Sequence, residues 1–93
     1  MLAVEWNQQA RVDLLAIIEP IASSHPGAAQ RFKVEIQAKT ARVARHPRLH
    51  RVGRVEGTRE LVVRPSYVLV YIEQPGSICI LRLLHTARQW PAL

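Results

Sequence analysis

Residues 60–84 read ELVVRPSYVLVYIEQPGSICILRLL and hold the strongest structural signal in the chain. Three runs rich in β-branched and aromatic residues predict three strands there. The predicted strands are Glu60 to Val63, Tyr67 to Glu73 and Ile78 to Leu84. Arg64 to Ser66 and Gln74 to Ser77 separate them with turn residues. Because connections this short join antiparallel neighbours, the carboxyl-terminal half predicts an antiparallel sheet.

The amino-terminal half changes to helical periodicity after a short predicted strand, Leu2 to Trp6. Asn7 offers a side-chain oxygen that can cap a helix. Apolar residues then recur at intervals of three and four positions: Ala10, Leu14, Ile17, Ile18 and Ile21. Pro20 has no amide hydrogen to donate inside a helix, so a kink or an early end near Glu19 is expected.

A second helix is predicted after the break at Ser23 to Gly27. Ser24 or His25 can cap it, with Pro26 at the first helical position. Pro47 stops it after about His46. Its buried stripe is predicted to be Ala29, Phe32, Ile36 and Val43.

Residues 48–57 form a loop in this prediction, which completes the order β-α-α-β-β-β. The expected fold is α+β, with two antiparallel helices packed on one face of a mostly antiparallel sheet. With 93 residues, the chain has room for one modest core, so residues 1–93 are expected to form a single domain.

The positive charge of the chain is concentrated in one segment. Thirteen Lys and Arg residues against seven Asp and Glu residues give a net charge of +6. Between Gln30 and Arg54 there are eight basic residues and one acid, Glu35. Five of the eight recur at every third position: Arg42, Arg45, Arg48, Arg51 and Arg54. This segment indicates an acidic partner, and the five arginines are candidates for contact with it.

Several other classes of protein are excluded. No apolar run approaches the roughly 18 residues of a membrane span, and the first residues lack the layout of a signal peptide, so a cytoplasmic protein is expected. Cys79 is the one cysteine and lies between two isoleucines, as is typical of a buried core residue. His25, His46 and His50 have no metal-ligand spacing, and neither a metal nor a cofactor is expected.

Short motifs along nearly the whole chain occur in a characteristic order. They are Trp6 on the opening strand, the pair Asp13-Leu14, Pro26 with Ala28-Ala29, Gly57 to Val63, Tyr67 to Tyr71, Ile80 to His85, and finally Arg88, Trp90 and Pro91. In order, spacing and total length they resemble the ParE/RelE superfamily of bacterial toxins from type II toxin-antitoxin pairs.

The resemblance implies a small toxin held inactive by an acidic, partly disordered antitoxin in a hetero-oligomer. It also implies one of two targets. RelE-type members cut messenger RNA in the ribosomal A site, whereas ParE-type members poison DNA gyrase and have no hydrolytic chemistry of their own.

A nuclease site would need an acid, a base and cations near the scissile phosphate. The candidates for such a set are Glu60, Arg64, Arg82, His85 and Arg88. Glu60 and Arg64 share one strand parity, and they would form a charged cleft with Arg82 if all three faced away from the helices. Strand parity alone does not determine which face of the sheet these side chains occupy. Because burying an unpaired guanidinium costs several kcal/mol, Arg82 should meet solvent, a carboxylate or a ligand.

Two departures from the RelE pattern favour the ParE branch. Both lysines, Lys33 and Lys39, lie on the predicted second helix, and Val68 stands where RelE-type members place an arginine. The favoured function is therefore inhibition of DNA gyrase. Ribosome-dependent cleavage of messenger RNA is the alternative, and a basic nucleic-acid-binding module without toxicity is a second alternative.

Two apolar residues of the first helix fall outside its core stripe. Val12 and Leu15 would be exposed on an isolated toxin. They are candidates for contact with an amphipathic segment of the antitoxin, and self-association is the competing use of the same surface.

Overall fold

A computed structural model describes residues 1–86, which form two helices and a five-stranded sheet. In chain order the elements are β1 (Ala3–Trp6), α1 (Gln8–Ser24), α2 (Pro26–Arg45), β2 (Arg51–Val52), β3 (Arg59–Arg64), β4 (Tyr67–Gln74) and β5 (Ser77–His85). The strand order is β1-β5-β4-β3-β2, with β1 parallel to β5 and the remaining pairs antiparallel. The predicted α+β fold is confirmed, with one additional short strand.

Both helices pack on one face of the sheet and enclose the main core there. The helices contribute Ala10, Ile18, Ala29, Phe32, Ile36 and Val43, and the sheet contributes Val63, Leu69, Tyr71, Ile78, Ile80 and Leu83. A smaller buried cluster consists of Val68, Val70 and Leu84. Since side chains alternate along a strand, this second cluster lies on the opposite face of β4 and β5.

The helix boundaries follow from local chemistry. The Asn7 side chain accepts a hydrogen bond from the amide of Ala10 at 2.8 Å and so caps α1 as predicted. His25 occupies the cap position of α2, and Pro26 follows at the first helical position. Neither helix in residues 1–86 is long and apolar enough to cross a membrane.

Of the two expectations for Pro20, a kink or an early end near Glu19, the early end is wrong. The helix continues through Pro20 to Ser24, and the amide of His25 closes it by donating to the carbonyl of Ile21 at 2.6 Å. Pro20 and Ala16 are both exposed. The carbonyl of Ala16, which loses its helical donor, therefore lies on the side where water is accessible.

Part of the predicted loop at residues 48–57 is a strand. Arg51 and Val52 pair with Glu60 and Arg59 and form the edge strand β2. The Tyr71 hydroxyl donates to the carbonyl of Pro47 at 2.5 Å, which fixes the start of this segment on the sheet. A strand of two residues is too short to show an alternating pattern, so it depends on these tertiary contacts.

Two register shifts change which face some residues occupy. One lies in the pairing of β3 with β4, between Val62 and Arg64. The other lies in the pairing of β4 with β5, where Val70 pairs with Arg82 but Tyr71 pairs with Ile80. Such β-bulges break strict alternation. They therefore decide where the charged side chains of β3 and β5 point.

Candidate functional site

Arg82 on β5 forms a bidentate ion pair with Asp13 on α1. Its Nε and Nη2 atoms lie 2.8 and 3.1 Å from the two carboxylate oxygens. β1 pairs with β5 only as far as Ile80, and beyond it the amide of Leu83 donates to Asp13 at 3.0 Å. The expectation that Arg82 meets solvent, a carboxylate or a ligand is confirmed, and Asp13 also binds the backbone of β5 beyond the end of its pairing with β1.

The surroundings of this ion pair favour the charged form of both groups. Burial raises the pKa of the Asp13 carboxyl, but hydrogen bonds from Arg82, the Leu83 amide and Gln9 outweigh burial, so the pKa lies below its ordinary value. The hydrogen bond to Asp13 raises the pKa of Arg82. The pair is therefore a permanent link between α1 and β5 at neutral pH.

Glu60 is a buried carboxylate bound by the loop that follows β2. Its side chain is only 2% exposed. Arg51 Nη2 lies 3.2 Å from Oε1, while the amide and Nε of Arg54 lie 2.9 and 3.4 Å from Oε2. Arg51 of β2 thus binds one carboxylate oxygen, and Arg54 of the following loop binds the other. Glu60 therefore holds Arg51 and Arg54 against β3.

Arg64 points to the helix side of the sheet. Its Nε donates to Glu35 on α2 at 2.7 Å, and its guanidinium carbon lies 4.7 Å from the centre of the Phe32 ring. The bulge after Val62 places Arg64 opposite Tyr67, which packs against the core on the helix side. The expectation that Glu60 and Arg64 share a face is therefore wrong, because the bulge shifts the alternation by one residue.

His85 lies at the end of β5 beside a cavity. Its ring contacts Tyr67 edge to face, with centroids 5.5 Å apart and an interplanar angle of 78°. Both rings, together with Asp13, Ile17 and Ile21, line an open cavity of about 350 Å³ between α1 and the sheet. The cavity combines apolar walls with a carboxylate and an imidazole.

Each described member of the predicted nuclease set contacts a different residue or element. Glu60 is engaged by the basic loop, Arg64 by α2, and Arg82 by α1. His85 lies beside Tyr67, and Arg88 lies outside the described residues. Within residues 1–86, no three His, Cys, Asp or Glu side chains are grouped so that they could hold a metal ion.

The five arginines from Arg42 to Arg54 form what we call the basic surface. All five are exposed: Arg42, Arg45, Arg48, Arg51 and Arg54. Arg42 and Arg45 lie in the last turn of α2, and Arg48 forms an ion pair with Glu73 at 3.1 Å. The surface thus runs from the end of a helix across a loop to the edge of the sheet.

Val12 and Leu15 are exposed on α1, as predicted, at 51% and 54%. Leu15 also lines a second cavity of about 230 Å³ between α1 and α2, together with Trp6 and Ile36. The two residues are therefore exposed apolar side chains on α1, and Leu15 borders the cavity between the helices.

Sequence reasoning did not include Asp13 and Glu35 among the functional residues, although each binds a candidate arginine. For Asp13 a signal was present. It lies three positions after Ala10 and one before Leu14, on the apolar stripe of α1, where an acid needs a buried partner. The pairing of Glu35 with Arg64 had no comparable signal.

The arrangement of the elements matches solved structures of small bacterial proteins. The chain is similar in fold to a chain of the chromosomal ParDE TA system from P. aeruginosa, with a TM-score of 0.78 at 22% identity over 91% of this chain and 96% of that one. It is also similar to the YoeB dimer from Staphylococcus aureus, with a TM-score of 0.64 at 14% identity over 90% and 95%. The fold is therefore the α+β fold of ParE-like and YoeB-like proteins.

Sequence similarity gives the family. The model for the "ParE toxin of type II toxin-antitoxin system, parDE" matches residues 4–90. Toxin RelE2 of Caulobacter vibrioides is 36% identical over 88 residues, which cover 95% of this chain and 99% of that protein. The chain belongs to the ParE toxin family and is the toxin of a type II toxin-antitoxin system, which confirms the resemblance.

Proposed function

We propose that this toxin arrests growth by inhibiting DNA gyrase through a protein surface. An acidic, partly disordered antitoxin neutralises it in the cytoplasm by forming a hetero-oligomer with it. The exposed Val12 and Leu15 receive an apolar segment of that antitoxin.

One observation carries the choice of gyrase. The acid and the arginines that a nuclease would need are engaged in separate ion pairs that join elements of the fold. Glu60 holds the loop after β2, Arg64 holds α2, and Arg82 holds α1. Both lysines of the chain lie on α2, so no strand carries one. A toxin that acts through its surface needs no such set of groups.

A supercoiling assay tests this proposal. Purified toxin is mixed with gyrase, ATP and relaxed plasmid, and an unrelated topoisomerase serves as the control. We expect lost supercoiling or trapped cleavage complexes with gyrase and unchanged relaxation by the control enzyme. Normal supercoiling with toxin in excess would overturn the proposal.

Ribosome-dependent cleavage of messenger RNA is the second candidate, and the cavity beside His85 and Tyr67 favours it. An imidazole next to an aromatic ring can move a proton beside a stacked base. This function would use the candidate set Glu60, Arg64, Arg82, His85 and Arg88. Primer extension on messenger RNA from arrested cells distinguishes the candidates, because cuts in the ribosomal A site occur only with this second function.

A further inference from the structure

The basic surface carries more positive charge than its neighbours neutralise. Residues 42–60 contain six arginines against two acids, Glu56 and Glu60. Glu60 is shared between Arg51 and Arg54, so one carboxylate serves two guanidiniums. The only other ion pair in the described residues that reaches this surface joins Arg48 to Glu73, and the Arg48 side chain is still 78% exposed.

The loop that carries Arg54, between β2 and β3, is held by several hydrogen bonds. The amide of Gly53 donates to the carbonyl of Thr58 at 2.8 Å, and the Thr58 hydroxyl donates to the carbonyl of Val55 at 2.6 Å. Glu60 binds Arg54 in this loop and Arg51 in the adjoining strand β2. A surface organised before binding loses little conformational entropy when a ligand arrives.

We infer that the basic surface binds the phosphate backbone of duplex DNA, and that Glu60 is the positioning residue for its loop. The inference rests on the proposed function, because gyrase acts on duplex DNA and a toxin bound to gyrase would meet that DNA. Duplex DNA carries one negative charge per about 1.7 Å of its axis. Guanidinium groups donate paired hydrogen bonds to phosphate oxygens without regard to base sequence.

Two exposed apolar residues within the same segment allow a competing partner to be tested. Leu49 and Val52 are 66% and 71% exposed. An acidic protein segment would use them as apolar anchors, whereas phosphate contacts would not. The variant Val52→Thr should therefore leave DNA affinity unchanged. Loss of DNA binding in this variant would contradict the inference.

The direct test is fluorescence anisotropy with a short labelled DNA duplex of arbitrary sequence, measured over a series of salt concentrations. The double variant Arg45→Gln/Arg48→Gln should bind more weakly, and its slope of log Kd against log salt should fall by about two. The matched control is Arg11→Gln/Arg31→Gln, which removes the same charge from exposed positions elsewhere on the helices. Equal weakening in both double variants would overturn the inference.

The role of Glu60 can be tested because its negative charge and its positioning of the loop have opposite effects on DNA affinity. Glu60→Gln removes a negative charge beside the surface, which by itself would strengthen DNA binding. If Glu60 positions the loop, Glu60→Gln should instead weaken DNA binding several-fold. Glu73→Gln should strengthen DNA binding or leave it unchanged. Tighter binding by Glu60→Gln would exclude the positioning role.

A second variant keeps this test open if Glu60→Gln does not fold. Thr58→Val removes the hydroxyl that binds the Val55 carbonyl and should weaken DNA binding in the same way. A labelled polyglutamate peptide is measured in parallel, and affinity equal to that for DNA would assign the surface to acidic proteins and overturn the inference.

If supercoiling is inhibited but DNA binding shows no dependence on Arg45 and Arg48, the inference fails and the proposed function stands. If DNA binding depends on Arg45 and Arg48 but gyrase activity is normal, the proposed function fails and DNA binding by the basic surface stands.

Discussion

At the scale of single residues, His50 lies in an environment that opposes its protonation. Its Nε2 is buried without a hydrogen-bond partner among the described residues, and its ring meets the Tyr71 ring edge to face at 6.3 Å. Burial lowers the pKa of His50, and the charges of Arg42, Arg59 and His46 lower it further. The imidazole therefore packs as a neutral ring beneath the basic surface.

This lowered pKa predicts that acid weakens the fold. Below pH 6.5, the ordinary pKa of His50, the unfolded chain binds a proton that the folded chain resists, so the free energy of unfolding falls as the pH falls. We expect His50→Gln to flatten the pH dependence of urea unfolding between about pH 7 and pH 5. Gln30→Ala, at an exposed position of α2 with no titratable group, is the control and should leave the slope unchanged. Identical slopes in wild type and His50→Gln would contradict the prediction.

At the scale of elements, the turn between β2 and β3 depends on a close approach of two residues. A Cβ atom at Gly53 would overlap the Thr58 side chain, whose hydroxyl holds the loop. Gly53→Ala should therefore destabilise the protein by about 1–3 kcal/mol. At Gly27, a Cβ would meet only the flexible end of Arg31, and Gly27→Ala in the first turn of α2 should be neutral or stabilising by up to about 1 kcal/mol. Urea unfolding of both variants checks this contrast, and similar losses would contradict it.

The elements also differ in how well local sequence predicts them. The cap at Asn7 and the start of α2 at Pro26 depend on neighbouring residues only, and both predictions are confirmed. The course of α1 through Pro20 depends on packing of the helix against β5 and α2, which outweighs the cost of one proline. β2 exists because β3 lies beside it. Local sequence therefore does not predict the elements that depend on contacts with distant segments, namely β2 and the last turn of α1.

At the scale of the whole molecule, the ion pair between Asp13 and Arg82 joins residues 69 positions apart. Asp13→Asn removes the carboxylate that Arg82 and the Leu83 amide bind and should lower the free energy of unfolding by about 3 kcal/mol. Glu73→Gln breaks the exposed pair with Arg48 and should cost less than about 1 kcal/mol. Chemical denaturation of both variants measures the difference, and equal losses would show that the buried pair does not hold the two halves together.

The sequence by itself determined the α+β class, the helix stripes, the three long strands and the concentration of positive charge. These properties depend on periodicity and composition, which are local. Only the tertiary structure decided which faces the charged side chains occupy, because a bulge at Val62 turns Arg64 toward α2 and ion pairs draw Glu60 to the loop and Arg82 to Asp13. A shift of one residue in register moves a side chain to the other face of the sheet, and that shift is set by contacts between distant segments.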